Sequence, residues 1–193
     1  MAPILLLLVS IALFRTAPWL SGEETVRDFA GWAPVMGFAL CGGAFLPRHL
    51  ALWLPAVAIL LSGAVVNTLT GWPLVNVFSI VVAVSSVAVA AAGAAIKKKA
   101  SLAALLGTSI LCTVLFHLVS NTVSFFIDPG YAKTLAGWWQ CQTIGLPQYA
   151  PQTWVFTVRQ ICGDLAFTAV FYAAFRQSLP QRGTVPAVEP VTA

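Results

Sequence analysis

Hydrophobic positions run along this chain in six long stretches, at residues 3–19, 32–46, 49–68, 75–96, 101–127 and 153–175, with charge concentrated between them. A helix needs about 20 mostly apolar residues to cross a hydrocarbon core of about 30 Å. The pattern therefore predicts an all-α polytopic membrane helix bundle of about six transmembrane helices. The second stretch (WAPVMGFALCGGAFL) is short and rich in Gly and Ala. It is expected to form a tilted or broken helix buried among its neighbours, with five spans and a re-entrant piece as the alternative. The first stretch has no Lys or Arg before it and no small-x-small site leading into a soluble domain, so a retained helix is expected over a cleaved signal peptide.

Composition agrees with lipid as the solvent. Hydrophobic residues make up 59% of the 193 and charged residues 8%, against about 25% charged in an average soluble domain. Lys and Arg are unevenly placed. Arg48, Lys97, Lys98, Lys99, Arg176 and Arg182 fall on one side of a six-span topology, and Arg15, Arg27 and Lys133 on the other. Six cations against three put both termini in the cytoplasm. The net charge of +4 has this same origin, and no nucleic-acid partner is expected. Residues 1–177 read as a single transmembrane domain. Residues 178–193, with Pro180, Pro186 and Pro190, read as a disordered cytoplasmic tail.

Polar side chains inside spans are expensive, so they usually face the bundle interior and mark a pocket or pathway. The fifth span carries Thr113, His117, Asn121 and Ser124, and the sixth Thr157, Gln160, Asp164 and Thr168. Both sets have steps of three and four residues, which places each on one helix face. Two stripes on consecutive helices predict a shared polar seam. Asp164 falls roughly 16 Å below the start of its span, near the midplane. Arg159 lies about 140° around the helix from it, so the two need not pair. The Thr and Ser members also suit simple interhelical hydrogen bonding.

The stretch 128–152 is long for a loop in so small a bundle. Its apolar middle (LAGWW) predicts a short helix lying on or capping the bundle. Tyr131, Trp138, Trp139 and Trp154 fit either an aromatic lid over a ring-bearing ligand or the belt at the membrane interface, the commoner role. Cys41, Cys112, Cys141 and Cys162 form no C-x-x-C, so neither a redox pair nor a metal site is expected, and no cofactor. A G-x-x-x-x-G-K-[ST] loop, H-E-x-x-H and G-x-S-x-G are all absent, which argues against self-driven ATP use and against an enzyme.

Several pieces carry a wider resemblance: Arg15 with Pro18, WAPVMGFALCGGAFLPR, LPAVAILLSGAVVN, FHLVSNTVSF, YAKTLAGWWQCQTIGLP and GDLAFTAVFYAAF. Together they resemble a family of uncharacterised bacterial six-helix membrane proteins. That family is similar in architecture to the substrate-capture subunits (S components) of energy-coupling factor vitamin transporters. The chain departs from it at Gly31-Trp32-Ala33, where the family has an Asn, and at Ser62-Gly63, where a Ser-Asp step loses its carboxylate. No Ala-x-x-x-Ala docking motif is evident between Ile4 and Phe14.

The resemblance implies a small-solute (vitamin-like) binding subunit in the bacterial inner membrane, working with a separate energising membrane subunit and its ATPases. The expected site opens outward between spans five, six and the first loop. Asp164, Asn121, His117 and Gln160 would supply hydrogen bonds, Trp138 and Trp139 apolar cover, and Arg159 or Arg15 a positive charge. The alternatives are a structural or assembly protein that binds no solute, and a small proton-linked carrier using Asp164 and His117.

Overall fold

A computed structural model describes residues 2–21, 23, 26, 28–97, 100–149 and 151–178. Each of the six predicted apolar stretches is helical, and no strand occurs among the described residues. The first begins as α1 (Ala2–Ile11), passes through one π-helical turn at Ala12–Thr16, and ends as α2 (Ala17–Leu20). Pro18 sits in the first turn of α2 and has no N–H to offer the carbonyl four residues back. A wider turn just before it accommodates that loss.

After a 3-10 turn at Asp28–Trp32 comes α3 (Val35–Phe45), then the single turn α4 (Arg48–Ala51) leading into α5 (Trp53–Leu69). Gly71, with φ at 75°, turns the chain towards α6 (Val77–Ile96), whose first turn is held by an Asn76–Ser79 capping box. The last three are α7 (Leu102–Ile127), α8 (Leu135–Gln142) and α9 (Thr153–Ser178). Ser178 is thus helical, and the rest of the predicted disordered tail lies outside the described residues.

The second stretch is the centre of the molecule. Ten of the eleven residues of α3 are buried. Eleven residues rise only about 16 Å, too little to cross a bilayer unaided, and the reading as a short buried helix holds. Glycine allows the burial. A Cβ on Gly43 would strike the backbone carbonyl of Ala90, and one on Gly93 that of Leu40. So α3 and α6 touch backbone to backbone through a reciprocal pair of glycines.

Three helical stretches are long and apolar enough to cross a membrane: His49–Leu69, Val77–Ile96 and Leu102–Ile127. They expose Leu61, Val84, Leu111 and Leu115 outward, as a lipid-facing surface requires. Ile4–Leu20 is apolar but shorter. Helix α9 has 26 residues, and Arg159, Gln160 and Asp164 dilute the apolar character of its first half.

Two ends of the bundle are recognisable. At one, Lys97 after α6 donates to the Leu46 carbonyl after α3, at 3.0 Å. At the other lie the turn between α5 and α6, the end of α7, and α8. Helix α8 folds back along the last turns of α7: Trp138 Nε1 and Gln142 Nε2 donate to Thr122 Oγ1 at 3.0 and 3.1 Å, and Cys141 Sγ approaches the Asn121 carbonyl at 3.0 Å. Thr134 caps α8 through Gly137 N–H at 3.2 Å. Lys133 Nζ donates to the Phe125 and Asp128 carbonyls, satisfying the end of α7. The predicted short helix over LAGWW is therefore a built part of the fold.

Candidate functional site

The candidate residues fall into two regions with opposite chemistry. The first is a sealed polar cluster where α3, α7 and α9 meet. Helix α3 starts after Pro34, which has no polar side chain to cap the orphan N–H groups of the first turn. In a dry interior water cannot replace the cap. Asp164 of α9 supplies it from outside the helix. Its Oδ1 accepts from Gly37 N–H at 2.8 Å. A carboxylate at a helix N-terminus is further favoured by the helix dipole. Lys97 places a cation at the opposite end of the same helix.

The other oxygen is equally committed. Oδ2 of Asp164 accepts from Thr113 Oγ1 at 2.7 Å and from Gln160 Nε2 at 3.2 Å. Gln160 Nε2 also donates to the Ala33 carbonyl at 2.7 Å, tying α9 to the approach into α3. One helical turn deeper, Thr168 Oγ1 lies 3.5 Å from Ser109 Oγ. Ser109, Thr113, Asp164 and Thr168 are all fully buried. Gly37 permits this packing, since a Cβ there would come within 2.8 Å of Thr168 Oγ1. The predicted seam between the fifth and sixth spans thus exists at Thr113, Asp164 and Gln160, with Ser109 as a member that the spacing argument omitted.

The remaining predicted residues lie elsewhere. His117 is half-buried on α7, its Nε2 has no hydrogen-bond partner, and it is not among the groups bonded to Asp164. Asn121 receives the Cys141 thiol on its backbone carbonyl. Arg159 lays its stem beside Gly31. Trp138 packs under α8 with Phe125, Tyr131, Cys141 and Leu146. Trp139, at 63% exposure, and Trp154 face outward. The four cysteines are free, with Cys162 alone exposed, and no cluster of metal-ligating side chains occurs among the described residues.

The second region is a cavity of about 860 Å³ at the end of the bundle that carries α8. Arg15 and Trp19 line it from the first helical segment, Gly63, Val66 and Asn67 from α5, and Phe78 and Ser79 from α6. Trp72 and Asn76 contribute from the turn between, and Asp128, Tyr131 and Tyr149 from the long loop. Of the eight residues predicted to bind solute, Arg15 alone lies on this cavity.

Most of its polar groups are already engaged. Asn67 Nδ2 donates to Ser79 Oγ at 3.2 Å and to the Leu74 carbonyl at 3.1 Å. Asp128 accepts from Gly130 N–H at 2.8 Å and from Tyr149 Oη at 3.0 Å. Burial pushes the Tyr131 phenol above its ordinary range, and the hydrogen bond to Asp128 does the same for Tyr149, so both stay neutral. Asn67 and Asn76 carried a usable signal: each is an amide at the edge of an apolar stretch, on either side of one short turn.

An all-helical bundle with three membrane-length apolar helices, a buried charged tether and a terminal cavity defines a membrane-type helical protein. The chain belongs to a family of unknown function, DUF6580, which matches residues 1–186. No curated protein matches it, and no solved structure does.

Proposed function

We propose that this chain is a non-enzymatic small-solute-binding subunit of the bacterial cytoplasmic membrane, crossing it about six times with both termini inside. A single observation carries the reading: a mostly apolar cavity of about 860 Å³ with a few polar anchors, within the size and character usual for ligand pockets. The cation asymmetry supports an outward-facing cavity end, where a capture subunit meets its solute. Six helical stretches and the chain's size support the likeness to S components, and with it an energising membrane subunit with ATPases as partner. That step is an argument from architecture.

Two features bear on the alternatives. An assembly protein would offer the small residues of the second and fourth stretches to partner helices, and Gly43 and Gly93 are consumed in the contact between α3 and α6. The proton-carrier reading drew on Asp164 with His117, and Asp164 is bonded to Gly37, Thr113 and Gln160.

Thermal unfolding of the detergent-solubilised protein against a panel of ring-bearing metabolites tests the proposal. A bound solute raises Tm by mass action. At least one class should do so for the parent protein, and Val66→Trp, which fills the cavity, should abolish the response. A flat response in the parent, or equal shifts in Val66→Trp, removes the reading.

A further inference from the structure

We infer that the cavity takes a monoanion carried on an apolar, ring-bearing body, with Arg15 as its counter-ion; this rests on the solute-binding reading of the same cavity. Arg15 lies on the π-helical turn Ala12–Thr16. Such turns are rare and occur frequently at functional sites, because one extra residue per turn re-aims a side chain. Here it directs a guanidinium into the cavity wall.

The guanidinium is poorly provided for by the protein. Its Nε is buried without a hydrogen-bond partner. Its Nη2 faces Gly63, where an added Cβ would lie 3.4 Å away and no side chain exists to pair with it. Among the described residues the one carboxylate on the cavity wall, Asp128, is held by Gly130 N–H and Tyr149 Oη. A half-buried cation with a buried, unbonded Nε is costly, and in membrane proteins such groups mark ion or substrate sites. One free guanidinium matches one carboxylate or one singly charged phosphate ester.

The rest of the wall describes the rest of the molecule. Trp72 and Phe78, both exposed, line the cavity with aromatic rings that can stack on a ligand, and Tyr131 lines it beside them. The amide of Asn67 is spent on Ser79 and Leu74. The body attached to the anion is therefore apolar and flat. A soluble aromatic acid and the headgroup region of an anionic lipid share this chemistry.

The test is native mass spectrometry of molecules carried out of the cell membrane by the intact chain, purified in a non-ionic detergent. Parent, Arg15→Gln, Arg15→Lys, Gly63→Ala and Gly63→Asp are compared. In Gly63→Asp the new carboxylate sits beside Nη2 and neutralises Arg15 internally, while Gly63→Ala meets only the flexible end of that side chain. The parent should carry an organic acid. Its occupancy should fall at least tenfold in Arg15→Gln and Gly63→Asp, and persist in Gly63→Ala and Arg15→Lys. Gly63→Asp retains every wild-type side chain, so it decides the matter if Arg15→Gln fails to insert. A neutral or cationic adduct, or an acid held equally by Gly63→Asp and parent, overturns the anion inference and leaves solute binding standing. An adduct of phospholipid mass lost in both variants supports the anion site and removes the solute reading. A parent that carries nothing removes both.

Discussion

Two charges inside apolar helical stretches of this protein, Asp164 fully buried and Arg15 half-buried, are handled in opposite ways. Asp164 is surrounded by donors: the Gly37 N–H of α3, a threonine hydroxyl and a glutamine amide. Arg15 sits on a cavity facing a glycine, its Nε without a hydrogen-bond partner. Position in a span, the usual reason to suspect an intramembrane charge, does not separate the two. Satisfaction does. A charge whose hydrogen-bonding capacity is used by its own chain is a structural fastener, and one left short is waiting for something the chain lacks.

That contrast can be broken most forcefully at the contact between α3 and α6, which seats the helix that Asp164 caps. Gly43→Val forces side-chain atoms into the Ala90 backbone, which cannot move aside as a side chain can. It should cost more than about 4 kcal/mol and abolish the monodisperse peak in detergent chromatography. Asp164→Ala strips the cap from α3 and leaves several buried donors unpaired. It should destabilise by about 3–5 kcal/mol, lowering Tm by roughly 10 °C, whereas Arg15→Gln should leave Tm unchanged or raise it. Equal destabilisation by the two would erase the distinction between fastener and site. The mildest change concerns α8. Thr134→Ala removes its N-cap, costs about 1 kcal/mol, and should speed maleimide labelling of the buried Cys141 while exposed Cys162 labels at its parent rate.

Much of the architecture was readable from the chain. The apolar stretches at 75–96 and 101–127 become α6 and α7 with boundaries shifted by two residues at most. LAGWW becomes the core of α8. Steps of three and four residues placed Thr113, Gln160 and Asp164 on facing stripes, and they do meet. Periodicity succeeds here because a buried helix face is a local property of its own sequence.

The site was far less legible. Asp164 reads as the most chemically suggestive residue, yet the partner that gives it its role is a backbone N–H, Gly37, over a hundred residues earlier in the chain. The only local hint was Pro34, a helix start that carries no cap. His117 and Asn121 share a stripe with Thr113, and still belong to different neighbours, because α9 faces one part of α7 and α8 another.

What the sequence determined by itself is the set of helices, their apolar faces and the demand that each costly polar group find a partner, since these follow from residue order and lipid or protein as solvent. Tertiary structure decided which group found one. It brought the start of α3 to Asp164, and it set Arg15 opposite a glycine across a gap between four elements. A cavity is a place where packing stops, and no single segment encodes where its neighbours will fail to meet.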